Sequence, residues 1–231
     1  MTDSNPSLIV SQLLPASVLA AQITKAVDTQ KLYAEEAHSL GNVAPKRLQD
    51  FTAGRLCARR VLAQLGHHQF ALLIGDDRRP VWPQGIIGSI THTHNFCAAI
   101  ATAESELIAL GIDAECLNAV SQQVLPEIAT EDEITWLSRF SESDRRHYAT
   151  LIFSAKEAFY KAQFQLTKSW MGFHDLVLCP ASSRFDQGHF SLVIVNPPKG
   201  LQTKSRISGH FSITREHLIT AISLSTQDRI E

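Results

Sequence analysis

FSAKEAFYKA, residues 153–162, is the stretch on which the reading of this chain turns. It reads as helix, yet Lys156, Glu157 and Lys161 sit among Phe153, Ala155, Ala158, Phe159, Tyr160 and Ala162. A solvated helix face would carry fewer aromatics, and a core face would carry no carboxylate. A carboxylate at the edge of a cleft fits both observations.

Working outward, the spacing predicts a helix from about Arg146 to Thr167 around this stretch. Upstream, Thr130 to Glu133 matches a capping box opening a helix through about Phe140. Downstream of Gly172 the pattern turns to strands: HDLVLCP (174–180), HFSLVIVN (189–196), SRISGHFSI (205–213) and HLITAISL (217–224), with NPPKG (196–200) as a turn. In the first half, KRLQDFTAGRLCARRVLAQL (46–65) is the clearest amphipathic helix. Leu48, Phe51, Leu56, Leu62 and Leu65 form its apolar stripe, and Arg47, Arg55, Arg59 and Arg60 decorate the other side. FALLI (70–74) is expected as a short buried strand, followed by the turn-rich DDRRPVWPQG (76–85). Strands are also expected at IIGSI (86–90), NFCAAIAT (95–102) and LIALGIDAE (107–115), the last two closing a hairpin across AESE (103–106). Helices precede strands twice over. That order predicts an α+β protein of two similar halves, 1–106 and 107–231, each an antiparallel sheet packed by helices. The active cleft is expected at the seam.

Composition narrows the function classes. The chain has 231 residues, 44% of them hydrophobic and 19% charged, enough to bury a core without staples. A formal net charge of −2 argues against a dedicated nucleic-acid binder. The four cysteines, at 57, 97, 116 and 179, form no CxxC, so they read as reduced residues of a cytoplasmic protein rather than a zinc site. No run approaches a membrane span, and the mildly apolar SLIVSQLLPASVLAA (7–21) lacks the basic start of a signal peptide.

Asp113 and Glu115, two apart on a strand, point the same way. Side by side they repel, and each prefers to be neutral. A divalent cation removes that penalty, and oxygen-only ligands suit Mg²⁺ or Mn²⁺. The alternative is a pair of acids on the wet side of an edge strand. Glu157 joins them if its helix packs across the strand. Lys161 lies one turn on, so a routine salt bridge to Glu157 is the competing reading. His92 and His94 in GSITHTH (88–94) read either as half of a metal site or as hydrogen-bonding groups for a phosphate or ribose. Arg78 and Arg79 precede them, and arginine suits phosphate. There is no GxxxxGKS loop, no GxGxxG after a strand and no GxSxG elbow, so any phosphate chemistry must be metal-led.

These residues carry a family resemblance. Gly111-Ile112-Asp113-Ala114-Glu115, then Phe153-Ser154-Ala155-Lys156-Glu157 with Lys161, resembles the paired signature of the 4′-phosphopantetheinyl transferases. The match is to the surfactin/enterobactin-synthase type, in which one chain holds two similar halves. KRLQDFTAGRLCAR and RPVWPQGIIGSITH look like its enterobactin (siderophore) branch. Phe153 stands where many relatives have Trp, and Thr91-His92-Thr93 where many have Ser-His-Ser.

The resemblance implies transfer of the phosphopantetheine arm of coenzyme A to a serine of an apo acyl or peptidyl carrier protein, releasing adenosine 3′,5′-bisphosphate. It implies Mg²⁺, or Mn²⁺, held by Asp113, Glu115 and Glu157. Glu157 and Lys161 become the catalytic pair: Glu157 takes the serine proton and Lys161 steadies the leaving group. Arg47, Arg55, Arg78, Arg79, Thr91, His92, Asp113, Lys156 and Lys161 are the residues implied to contact CoA. Carrier domains tend to be acidic, which makes Arg139, Arg145 and Arg146 candidates for docking. A monomer is expected, since both halves lie in one chain. Two other readings use the same acids: a Mg²⁺-dependent phosphohydrolase, which needs no carrier, and a non-catalytic CoA- or nucleotide-binding module, which would tolerate loss of Glu157.

Overall fold

The computed structural model describes residues 8–180, 187–201 and 205–228, and the chain divides into two compact units, 1–105 and 106–231. Both are helices on an antiparallel sheet. Among the described residues, no helix is long and apolar enough to cross a membrane.

The first unit contains α1 (Leu8–Ser11), β1 (Leu19–Ile23), α2 (Ala34–Leu40), α3 (Pro45–Gln64), β2 (Ile87–Thr93) and β3 (Phe96–Thr102). Its sheet has the order β1-β3-β2. The central strand β3 is buried along its whole length. β2 and β3 form a tight hairpin in which Asn95 takes a left-handed φ of 53°, a conformation asparagine tolerates. α3 opens with Pro45 in its first turn, where the missing N–H costs nothing. The helix meets the sheet through small residues: Ala53, Cys57, Ala58 and Val61 are core, while Leu48, Leu56 and Leu65 of the expected stripe are only half-buried. Close approach explains this. A Cβ at Gly54 would stand 3.1 Å from the Ile90 side chain, so a leucine-lined face would hold the helix too far out.

Two expectations for this half fail. FALLI is not a strand; its one bridge joins Ile74 to Pro80. Leu72 is buried, but its N–H donates to the Glu36 carboxylate at 3.1 Å instead of to a neighbouring strand. Nor does AESE close a hairpin: β3 pairs with β1 and β2, whereas the strand after AESE pairs with the last strand of the chain. β1 and α2 were not expected from sequence.

The second unit runs β4 (Leu107–Cys116), α4 (Leu125–Ile128), α5 (Glu131–Leu137), α6 (Glu142–Thr167), β5 (Leu176–Pro180), β6 (Gln187–Ile194), β7 (Arg206–Ile213) and β8 (His217–Ser225). The sheet order is β4-β8-β7-β6-β5, all antiparallel. The Thr130 to Glu133 capping box is present, though α5 stops at Leu137 rather than Phe140. α6 starts earlier than expected because the Ser141 hydroxyl accepts from the Asp144 N–H at 3.2 Å and caps it. Ala155, Ala158, Phe159 and Ala162 of α6 pack into one core with Leu176, Phe190, Ile207 and Ile222 of the sheet.

One contact fixes α6 against β4. A Cβ at Gly111 would lie 1.8 Å from the carbonyl oxygen of Ala158, so strand and helix backbones touch where only hydrogen fits. One turn before Ala158, the Ser154 hydroxyl lies 2.9 Å from that of Thr220 on β8.

Candidate active site

β4 alternates, so Gly111, Asp113 and Glu115 share the face on which α6 lies. Glu157 is one residue before Ala158 and Lys161 one turn beyond it, so the Gly111–Ala158 contact sets both against the acidic strand. The Lys161 ammonium donates to Asp113 Oδ1 at 2.7 Å and to the Ile112 carbonyl at 3.1 Å. The i,i+4 bridge to Glu157 is therefore not what Lys161 forms. Asp113 is 4% exposed, and this cation offsets the cost of burying its charge. Gln165, one turn further, donates to the Leu110 carbonyl at 2.5 Å and ties the helix end to the same strand.

Two of these carboxylates, Glu115 and Glu157, bind their protons more strongly than a solvated acid does. Glu115 is pushed up to about 7 by burial first, then by Asp113 and Glu157, with Lys161 opposing. Glu157 is raised by burial and by Asp113, again against Lys161. Oxygen-only donors that repel one another in this way fit a hard divalent cation. The set is not drawn together at ligand spacing: among the described residues, no three His, Cys, Asp or Glu groups stand so. Asp113 instead engages Lys161.

Beside Glu157 lies a largely apolar pocket lined by Lys156, Glu157, Tyr160, Trp170, Met171, Gly172, Phe173 and Leu176. The Trp170 ring meets the edge of Tyr160 at 5.5 Å, and Trp170 is 78% exposed. Phe153 packs on Phe173 at 5.5 Å.

Lys156, implied as a CoA contact, turns inward. It is 1% exposed, and its ammonium donates to Glu133 Oε2 at 2.7 Å and to the Ile128 carbonyl at 2.9 Å. Its ammonium is thus committed to Glu133 and the Ile128 carbonyl rather than held out to solvent. Glu133 was legible only as a capping-box residue, and its second role needed the fold.

In the first unit, Arg47 and His92 come together although 45 residues apart. Arg47 Nη1 lies 3.3 Å from His92 Nε2, and His92 Nδ1 lies 3.9 Å from Asp50. Arginine always donates, so Nε2 is the acceptor in this contact. Thr91 is buried. Arg55 is also buried: its guanidinium lies 4.0 Å over the Phe51 ring, and its Nε has no hydrogen-bond partner among the described residues. Burial lowers its pKa to about 10, with Glu36 opposing. Arg79 is engaged by Asp77 through two guanidinium bonds, at 2.8 and 2.6 Å. Arg78 adopts a left-handed φ of 65° in the same turn. Of the docking candidates, Arg145 donates to the Leu137 and Phe140 carbonyls, Arg146 pairs with Glu142, and Arg139 is exposed.

Two family models divide the chain between them. The 4′-phosphopantetheinyl transferase N-terminal domain matches residues 35–102, and the 4′-phosphopantetheinyl transferase superfamily matches residues 109–220. The chain is 34% identical over 167 residues to the 4′-phosphopantetheinyl transferase Npt of Nocardia iowensis, covering 72% of this chain and 74% of the relative. It is 32% identical over 225 residues to the transferase Svp of Streptomyces mobaraensis, covering 94% and 89%. Enterobactin synthase component D of Salmonella typhi is 35% identical over 125 residues, about half of each chain (53% and 51%). The chain belongs to the 4′-phosphopantetheinyl transferase superfamily. It is a transferase, with CoA as substrate and a carrier protein as acceptor.

Proposed function

We propose that transfer is carried out on the second unit's acidic face, with Glu157 as general base. The observation that supports this most is the raised proton affinity of Glu157 beside Asp113 and Glu115, at the rim of an apolar pocket. A carboxylate raised toward the working pH is a better proton acceptor than a solvated one. The carrier serine oxygen bonds to the CoA phosphorus that bears the pantetheine arm. The bond from that phosphorus to the nucleotide's 5′-phosphate oxygen breaks, and the serine proton passes to Glu157, directly or through water. The apolar pocket takes the pantetheine arm. Lys161, already at Asp113, supplies positive charge for the departing bisphosphate.

Asp113, Glu115 and Glu157 are the residues that would hold Mg²⁺ or Mn²⁺. The ion would supply charge neutralisation at the pyrophosphate. Arg47, Arg55, Arg78, Arg79, Thr91 and His92 of the first unit are assigned to the nucleotide phosphates. In support, the buried Arg55 Nε is without a hydrogen-bond partner among the described residues, and a guanidinium is suited to phosphate. The enzyme is read as monomeric and cytoplasmic, with no nucleic-acid partner. Siderophore, polyketide, polyunsaturated fatty acid and general carrier domains are the candidate acceptors.

The test is the intact mass of an apo carrier incubated with CoA, Mg²⁺ and this protein. A gain of one phosphopantetheinyl group is expected, with no CoA turnover when the carrier is left out. Carrier-independent cleavage of CoA would instead mark a phosphohydrolase.

A further inference from the structure

Lys156 and Glu157 are adjacent on α6, so their side chains leave the helix about 100° apart. Where one is fixed, the other's direction is set. Glu133 fixes Lys156. The Glu133 carboxylate is 3% exposed and takes three bonds: Oε2 accepts from Lys156 Nζ at 2.7 Å and from the Thr130 N–H at 2.8 Å, and Oε1 accepts from the Leu178 N–H at 2.7 Å. Lys156 adds a bond to the Ile128 carbonyl at 2.9 Å. One buried carboxylate thus joins the start of α5, strand β5 and α6, and its lysine brings in the end of α4.

The sheet-side contacts of α6 bring Glu157 against β4 but act in a different direction. Gly111 with Ala158, and Thr220 with Ser154, set the height of the helix over β4 and β8. Lys156 leaves α6 toward α4 and α5, and a hold there resists rotation about the helix axis. Such rotation would swing Glu157 along the pocket rim and away from Asp113 and Glu115.

We propose that Glu133 is a positioning residue for the transfer step, acting through Lys156 to fix the rotation of α6 and hence the placement of Glu157. The inference rests on the reading of Glu157 as base. It goes further in giving Lys156 an inward role and in naming a residue outside the signature as its partner.

The test uses the full chain and three proteins: wild type, Glu133→Gln, and the double variant Glu133→Gln with Lys156→Met. Each is measured for thermal stability without metal, for kcat and KM with CoA, and for Mn²⁺ affinity without CoA or carrier. Glu133→Gln leaves a buried ammonium short of its anion, so its Tm falls. The double variant removes both buried charges, and its Tm should return most of the way to wild type. Its kcat should nevertheless stay at least about tenfold low, because displacement of a reacting group by about 1 Å costs up to about 10²-fold. Its KM for CoA should change by less than about threefold, the pattern of lost transition-state stabilisation rather than lost CoA binding. Its Mn²⁺ affinity should fall with kcat.

Recovery of kcat and Mn²⁺ affinity along with Tm would make the pair purely structural and overturn the proposal. If Glu133→Gln alone does not fold, the double variant carries the comparison. A wild-type protein that modifies no carrier would overturn the functional reading instead, and the Mn²⁺ arm still decides whether Glu133 positions the acids.

Discussion

Ser154 on α6 and Thr220 on β8 satisfy one another. Thr220 donates to the Ser154 carbonyl at 2.9 Å, and the Ser154 hydroxyl lies 2.9 Å from the Thr220 oxygen. Thr220 faces Asp113 across the β4–β8 register, so the helix bearing Glu157 is held to the strand next to the acids. Both side chains are fully buried. Thr220→Val strands the Ser154 hydroxyl and should cost about 1–3 kcal/mol, seen as a lower midpoint in urea with unchanged slope.

Gly111→Ala is the more severe change. The new Cβ meets a backbone carbonyl, which cannot swing aside as a side chain can. Either α6 lifts or β4 bends, and overpacking of this kind costs about 1–3 kcal/mol or more. Thermal melts should show the loss, and carrier modification should fall even well below the melting temperature. Normal activity in a folded Gly111→Ala would contradict the placement of α6.

Glu157→Gln keeps shape and removes charge. As the proton acceptor it should cost about 10²–10⁴ in rate. In metal-free protein it also removes one of three repelling carboxylates, so stability should hold or rise. A variant that is active but less stable would assign Glu157 a structural role.

The acids predict a pH dependence with a definite sign. Glu115 keeps its proton up to about pH 7 in the native protein, against an ordinary value of 4.5. Between those values the native state binds more protons than the unfolded chain, so this contribution lowers stability as pH rises through the interval. A metal must displace that proton. Mg²⁺ or Mn²⁺ affinity, followed by calorimetry, should therefore rise about tenfold per pH unit up to about 7 and then level off. A flat profile would remove Glu115 from the ligand set.

Arg47→Ala and His92→Ala test the nucleotide assignment. Both should raise the KM for CoA and leave the KM for carrier unchanged. With 3′-dephospho-CoA the two variants should match wild type if the group these side chains hold is the 3′-phosphate. Added salt should weaken CoA binding in wild type more than in Arg47→Ala, as fewer charged contacts remain to be screened.

The sequence by itself determined the α+β class, the strands after Gly172, the capping box at Thr130 and the shared direction of Asp113 and Glu115. All of these are local: strand alternation, helix period and caps are written within a few residues of each other. The signature also brought the family into view, since its residue types and spacing are specific. Tertiary structure alone decided the partners. That Lys161 meets Asp113 rather than Glu157, that Lys156 turns inward to Glu133, and that Gly111 exists to admit Ala158 depend on how one helix rotates and rises over one sheet. No periodicity encodes that. FALLI failed for the same reason: an apolar run looks like a strand until a distant carboxylate, Glu36, takes the bond a neighbouring strand would have made.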